Sequence, residues 1–82
     1  MQIEKPNLKE LTVLHNEASA LCQRLLFMEQ DYKELVEFSQ SQDFKEFSEE
    51  SQDVMLRSID KKAARIARLR DDYDNLVILL NQ

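Results

Sequence analysis

Residues 11–35 have the sequence LTVLHNEASALCQRLLFMEQDYKEL, in which apolar or aromatic side chains recur at alternating steps of three and four. This spacing is typical of a helix that packs lengthwise against another helix. The side chains predicted to face that partner, here called the seam, are Leu11, Leu14, Ala18, Leu21, Leu25, Met28, Tyr32 and Leu35. Asn7 precedes the pattern, and Glu10 lies three positions after Asn7, as in a capping box. We therefore predict a first helix over residues 8–38.

The next segment, residues 39–48, interrupts the pattern with serine, glutamine and acidic side chains. Phe44 and Phe47 are too apolar for a free linker, so we predict a turn that contains a short helical piece. Ser48 is suited to cap a second helix, and the acidic pair that follows it complements the positive end of the helix dipole. We predict that this second helix spans residues 49–80.

The second helix has a seam of its own, with the same alternating steps. Its predicted members are Leu56, Ile59, Ala63, Ile66, Arg70, Tyr73, Val77 and Leu80. The two lists pair in antiparallel order, from Leu11 opposite Leu80 to Leu35 opposite Leu56, and small residues face large ones as close packing requires. The sequence predicts one all-α domain over residues 1–82, an antiparallel two-helix hairpin similar to a coiled coil.

The chain carries more apolar surface than a single seam can bury. Side chains outside both seams that we expect in contacts between subunits are Val13, Leu26, Phe27, Val36, Leu76, Ile78 and Leu79. A helix that is apolar on several sides must be covered on several sides. We therefore expect the hairpin to assemble with copies of itself into a four-helix bundle or a larger oligomer; the alternative is a monomer with exposed apolar patches.

Composition excludes several classes of function. The chain contains no glycine, which the phosphate-cradling loops of common nucleotide enzymes need, and no cofactor is expected. Cys22 lies among leucines and is interpreted as a buried hydrophobe, while His15 has no second ligand at metal spacing. The carboxylates lie on helix faces without a base partner, so we expect no catalysis. With no signal-peptide or membrane-span pattern, a cytoplasmic location is expected.

The charge distribution is uneven. The net charge is −5, yet residues 61–70, KKAARIARLR, hold five basic groups and no acidic one. An acidic chain is a poor binder of double-stranded DNA. Four cations follow one another at steps of four, four and three, namely Arg57, Lys61, Arg65 and Arg68. Like charges at this spacing destabilise a helix, so we expect an acidic face, either of another subunit or of the first helix through Glu29, a phosphate-bearing ligand, or solvent to lie against them.

Arg70 and the two tyrosines are further candidates for a binding site. Arg70 occupies a predicted seam position, where a guanidinium must reach the surface, pair with a carboxylate such as Glu17, or bind an anionic ligand. Tyr32 and Tyr73 could stack on a nucleotide base, although tyrosines at this spacing are more commonly core residues with a hydroxyl at the rim.

The chain combines a leucine-rich first helix, a phenylalanine-containing turn and a late tyrosine in the second helix. The residues of this combination are Glu17, Leu21, Arg24, Leu25, Phe38, the run DFKEFSEESQ, Leu56, Tyr73 and Leu76. In these residues the sequence resembles a group of small tailed-phage proteins, including ones related to crAss-like phages. The hairpin is similar in size to the anti-CBASS and anti-Thoeris sponges of phages, oligomers that sequester host cyclic nucleotides between subunits.

This resemblance implies a phage-type counter-defence protein that acts in the host cytoplasm by stoichiometric binding. The ligand would be an anionic nucleotide signal held by Arg57, Lys61, Arg65, Arg68 and Arg70. Two alternatives need no small molecule: an acidic inhibitor that binds a host protein, and a coiled-coil adaptor for which self-association suffices.

Overall fold

A computed structural model describes residues 7–81, which form three helices in the order α1 (Leu8–Ser39), α2 (Gln42–Lys45) and α3 (Glu49–Leu80). The two long helices pack against each other along their length, and the described Cα atoms extend over 58 × 24 × 14 Å. The all-α hairpin expected from the periodicity is confirmed. Its long helices lie within one residue of the predicted bounds.

Side-chain caps begin each helix. The Asn7 side chain accepts a hydrogen bond from the Glu10 backbone N–H at 2.8 Å, and the Glu10 carboxylate accepts one from the Asn7 N–H at 3.2 Å. Ser41 caps α2 through the Phe44 N–H, and Ser48 caps α3 through the Ser51 N–H. These bonds satisfy backbone donors that the helices leave unpaired at their first turns.

An aromatic cluster closes the turn end of the hairpin. The Phe38 ring lies 6.2 Å from the Phe44 ring, edge to face, and 6.0 Å from the Phe47 ring. Phe44 is only 5% exposed, which explains why α2 folds back onto α1 instead of remaining a free linker. Gln52 strengthens the turn by donating a hydrogen bond to the Phe47 carbonyl at 2.8 Å.

The seam of α1 follows the predicted pattern. All eight of its predicted members are buried or half-buried, and Ala18 and Leu25 are the most enclosed. On α3, Ile59 is buried, and the half-buried positions include Ile66, Tyr73 and Leu80, as predicted. The core of the described chain is therefore a narrow line of side chains between two helices.

The predicted α3 seam is correct only in part: two of its eight members are exposed, and two others, Ala63 and Val77, are half-buried at its edge beside Lys62 and Leu76. Leu56 is 44% exposed and Met55 is turned inward in its place, while Arg70 is exposed and Leu69 is half-buried beside it. Leu69, and not Arg70, occupies this seam position. The seam stays apolar in this way, because a guanidinium there would lose its hydration.

The alignment of the helices also differs from the predicted pairing. Lys62 contacts Asp31, and Tyr73 interacts with Cys22, whereas the predicted pairing would have put Lys62 opposite Glu29 and Tyr73 opposite Ala18. Lys62, Tyr73 and Arg70 thus contact residues two, four and eight positions beyond their predicted partners on α1.

Candidate functional site

The hairpin has two broad faces, one on each side of the seam. On one face, Cys22 meets Tyr73 and the Glu29 carboxylate accepts a hydrogen bond from Arg70. On the other, a shallow groove between the helices is lined by residues that include Asp31 and Ser58. Positions seven residues apart share a face of a helix in such a pair, so these contacts assign each flanking position to a face.

The first face is here called the apolar flank. The positions that border its seam are Leu8, His15, Cys22, Glu29 and Val36 of α1 and Leu56, Ala63, Arg70 and Val77 of α3. Glu29 and Arg70 are the charged members of this set, and they pair with each other. Their interaction raises the pKa of Arg70, chiefly through the hydrogen bond to Glu29. The apolar flank therefore carries no unmatched charge at these positions.

The second face is here called the charged flank. The positions that border its seam are Glu10, Glu17, Arg24, Asp31 and Phe38 of α1 and Ser58, Arg65, Asp72 and Leu79 of α3. Six of these nine residues are charged. Lys62 also reaches this face, where its ammonium donates to the Asp31 carboxylate at 2.7 Å. A surface so rich in charge retains water readily.

The cations predicted to bind an anion are divided by the structure. Lys61, Arg65 and Arg68 line one shallow groove on α3, together with Ala64 and Leu69. Within residues 7–81, none of these three cations lies within 4 Å of a carboxylate. The groove, here called the cationic groove, therefore presents three neighbouring positive charges to solvent on the side of Arg65 and the charged flank.

The two other predicted cations lie apart from this groove. Arg57 is exposed one turn earlier and makes a long contact of 3.9 Å with Asp53 on the same helix. Arg70 lies on the apolar flank and pairs with Glu29 across the seam. The structure therefore brings together three of the five predicted residues.

Neither tyrosine lines the cationic groove. Tyr32 and Tyr73 are half-buried in the seam, and Tyr73 lines a separate groove on the apolar flank with His15 and Cys22. Interaction with the Cys22 side chain raises the pKa of Tyr73, and partial burial and nearby Asp74 add to this effect. The exposed aromatic side chain on the charged flank is instead Phe27, which shares a groove with Asp31 and Glu34.

The apolar residues predicted to join subunits fall on different faces. Val36 belongs to the apolar flank and Leu26 lies beside it, whereas Leu79 belongs to the charged flank and Val13 and Phe27 lie beside it. Ile78 is exposed on the outer side of α3, while Leu76 is half-buried in the seam. The sequence reasoning missed the exposed side chains of Leu8, Phe47 and Val54. Leu8 could have been found, because it precedes His15 and Cys22 at steps of seven.

The described residues contain no group of three or more His, Cys, Asp or Glu side chains placed to hold a metal ion. Over the same residues, no helix combines the length and hydrophobicity that a membrane crossing requires. Comparison of the chain with protein-family models, with curated proteins and with solved structures finds no match.

Proposed function

We propose that this chain acts by stoichiometric binding of a phosphate-bearing, nucleotide-type ligand at the cationic groove, without catalysis. The supporting observation is the juxtaposition of Lys61, Arg65 and Arg68 without a carboxylate within 4 Å in the described part of the chain. Guanidinium groups bind phosphate oxygens through paired hydrogen bonds, which gives such a groove selectivity for this class of anion.

The arrangement has an energetic cost that a ligand would remove. Arg65 has cations three and four residues before it and another three residues after it. Like charges at these spacings destabilise a helix by roughly 0.2–0.5 kcal/mol per pair. A bound phosphate group would reverse the sign of this interaction, so anion binding should stabilise the fold. The phage resemblance suggests the biological setting, in which the sequestered anion is a cyclic nucleotide signal of host defence.

Titration calorimetry with a panel of cyclic di- and trinucleotides tests this proposal, together with absorbance at 260 nm to detect a nucleotide that copurifies. We expect heat with at least one member of the panel and loss of that heat in the Arg65→Gln/Arg68→Gln variant. The matched control, Lys9→Gln/Lys45→Gln, removes the same charge away from the groove and should bind as the parent does. No heat across the panel would refute nucleotide sequestration.

A second candidate is a protein-binding inhibitor or adaptor, and it is favoured by the amount of exposed apolar surface. Large apolar side chains that are at least 39% exposed include Leu26, Phe27, Val54 and Ile78, whereas four apolar residues are buried in the described chain. Such exposure is a feature of surfaces that bind other proteins. A protein-binding role predicts recovery of one stoichiometric partner in a pull-down with the purified chain. It also predicts no heat in the nucleotide titrations.

A further inference from the structure

The positions that border the seam on the apolar flank are mostly apolar, and the outer row beside them holds Leu26 and Ala67 together with the charged residues Lys33, Asp53, Asp60 and Asp74. Leu26, one turn from Cys22 on α1, is 62% exposed, and Leu56 on α3 is 44% exposed. Ala63 and Ala67 follow Leu56 along α3, and their small side chains allow another helix to approach closely. The central charges of this face, Glu29 and Arg70, already neutralise each other. Interfaces between proteins have this composition at their centres, where charged residues are depleted.

We propose that a second copy of this chain packs on the apolar flank, with a two-fold axis parallel to the long axis of the hairpin. This axis places α1 of each copy over α3 of the other, so that neighbouring helices in the resulting four-helix bundle are antiparallel. The inference goes beyond the proposed ligand binding, because the cationic groove lies toward the opposite face and stays open in such a dimer.

Complementary residues lie close in height on this face. The Lys62–Asp31 contact sets Lys33 level with Asp60, and the Cys22–Tyr73 contact sets it about half a turn from Asp60. Both residues are exposed beside the apolar flank. The parallel two-fold axis brings Lys33 of one copy toward Asp60 of the other, and symmetry repeats the pair. By the alignment of the Lys62–Asp31 contact, Leu26 of one copy lies over Ala67 of the other. Each face therefore complements itself in charge and in size, as an interface with two-fold symmetry requires.

The size of the face is sufficient for a stable dimer. The hairpin measures 58 Å by 24 Å across its broad face. A face of this size offers on the order of 1,000 Å² per copy, and a standard interface buries roughly 800 Å² on each side. A rotation axis perpendicular to the hairpin would instead pack α1 on α1 and leave Asp60 without Lys33.

Adjacent residues on α1 provide a test with an internal control. Leu26→Glu places a charge at the centre of the proposed interface, whereas Phe27→Glu places the same charge on the other side of the helix. Both side chains are well exposed in the single hairpin, at 62% and 81%, so both variants should fold. Analytical ultracentrifugation should show a dimer for the parent and for Phe27→Glu. For Leu26→Glu we expect the dissociation constant to rise about a hundredfold, because a buried unpaired charge is strongly unfavourable.

Crosslinking tests the orientation of the axis. In a Cys22→Ala background, Lys33→Cys/Asp60→Cys should yield a covalent dimer with a short bismaleimide. The control pair Glu34→Cys/Lys61→Cys has the same spacing on the charged flank and should not. A monomeric parent at tens of micromolar, dissociation by Phe27→Glu, insensitivity to Leu26→Glu, or crosslinking through the control pair alone would each overturn the proposal. None of these outcomes depends on nucleotide binding, so the two proposals fail separately.

Discussion

The two flanks of the hairpin border the same seam and repeat at the same interval of seven residues, yet their side chains differ in kind. On the apolar flank, Glu29 and Arg70 are charged and paired, and the other bordering positions are apolar apart from His15. On the charged flank, six of the nine bordering positions carry charge. The seam accounts for the hairpin itself, while the flanks determine which face can lose its water and which face remains hydrated.

The largest expected effect on the free energy of unfolding is at the seam. Leu25 is 4% exposed, and its truncation to alanine should lower the free energy of unfolding by about 2–5 kcal/mol, from lost burial and the resulting cavity. The control is Phe27→Ala, two residues away on an exposed face, which we expect to change stability by no more than about 0.5 kcal/mol. Urea unfolding at one fixed protein concentration measures both. Equal losses in the two variants would contradict the seam described here.

The apolar flank contains one ion pair, and its contribution should be smaller. Glu29→Gln removes the charge that faces Arg70, and we expect a measurable but small loss of stability, because the side chains of Glu29 and Arg70 are 35% and 59% exposed and water screens them. A double-mutant cycle with Arg70→Gln isolates the pair from other effects of each substitution. A coupling energy of zero would mean that the two charges do not interact in solution.

The degree to which the sequence predicted the structure differs between the two helices. On α1, the apolar residues at steps of three and four identify every seam position. On α3, Met55 and Leu56 are adjacent and both apolar, and Leu69 is adjacent to Arg70. Two possible seams, one shifted by a single residue from the other, therefore fit the same pattern. The exclusion of a guanidinium from the core favours Leu69, and that argument could have been applied to the sequence.

The candidate site followed from the sequence only in part. The steps of four and three correctly placed Lys61, Arg65 and Arg68 together, since this spacing fixes neighbours on any helix. Arg70 lies apart from these three cations, beside Glu29, because the face on which it lies depends on the seam. The flanks depend on the alignment of two helices, and contacts between apolar side chains constrain that alignment weakly.

Relief of charge repulsion on the charged flank should produce an effect of opposite sign. Arg65→Gln removes three like-charge pairs, with Lys61, Lys62 and Arg68, each unfavourable by about 0.2–0.5 kcal/mol, so the ligand-free protein should gain stability. Arg24→Gln on the same flank is the control, since no charged residue lies three or four positions from it. Thermal unfolding at low ionic strength measures the difference. A loss of stability in Arg65→Gln would indicate that this side chain already has an anionic partner within the protein.

The weakest expected effect concerns the apolar flank at high pH. Interaction with Cys22 raises the pKa of Tyr73 above the ordinary value of about 10, so the fold favours the neutral phenol. The stabilising contribution of this phenol is complete below about pH 10 and is lost as the pH rises through the raised pKa. In a Tyr32→Phe background, Tyr73 is the remaining tyrosine. Its absorbance titration should have a midpoint above that of free tyrosine, and Cys22→Ala should lower this midpoint. If Cys22→Ala leaves the midpoint unchanged, the contact between these side chains does not hold in solution, and the alignment inferred from it for the apolar flank would have to be revised.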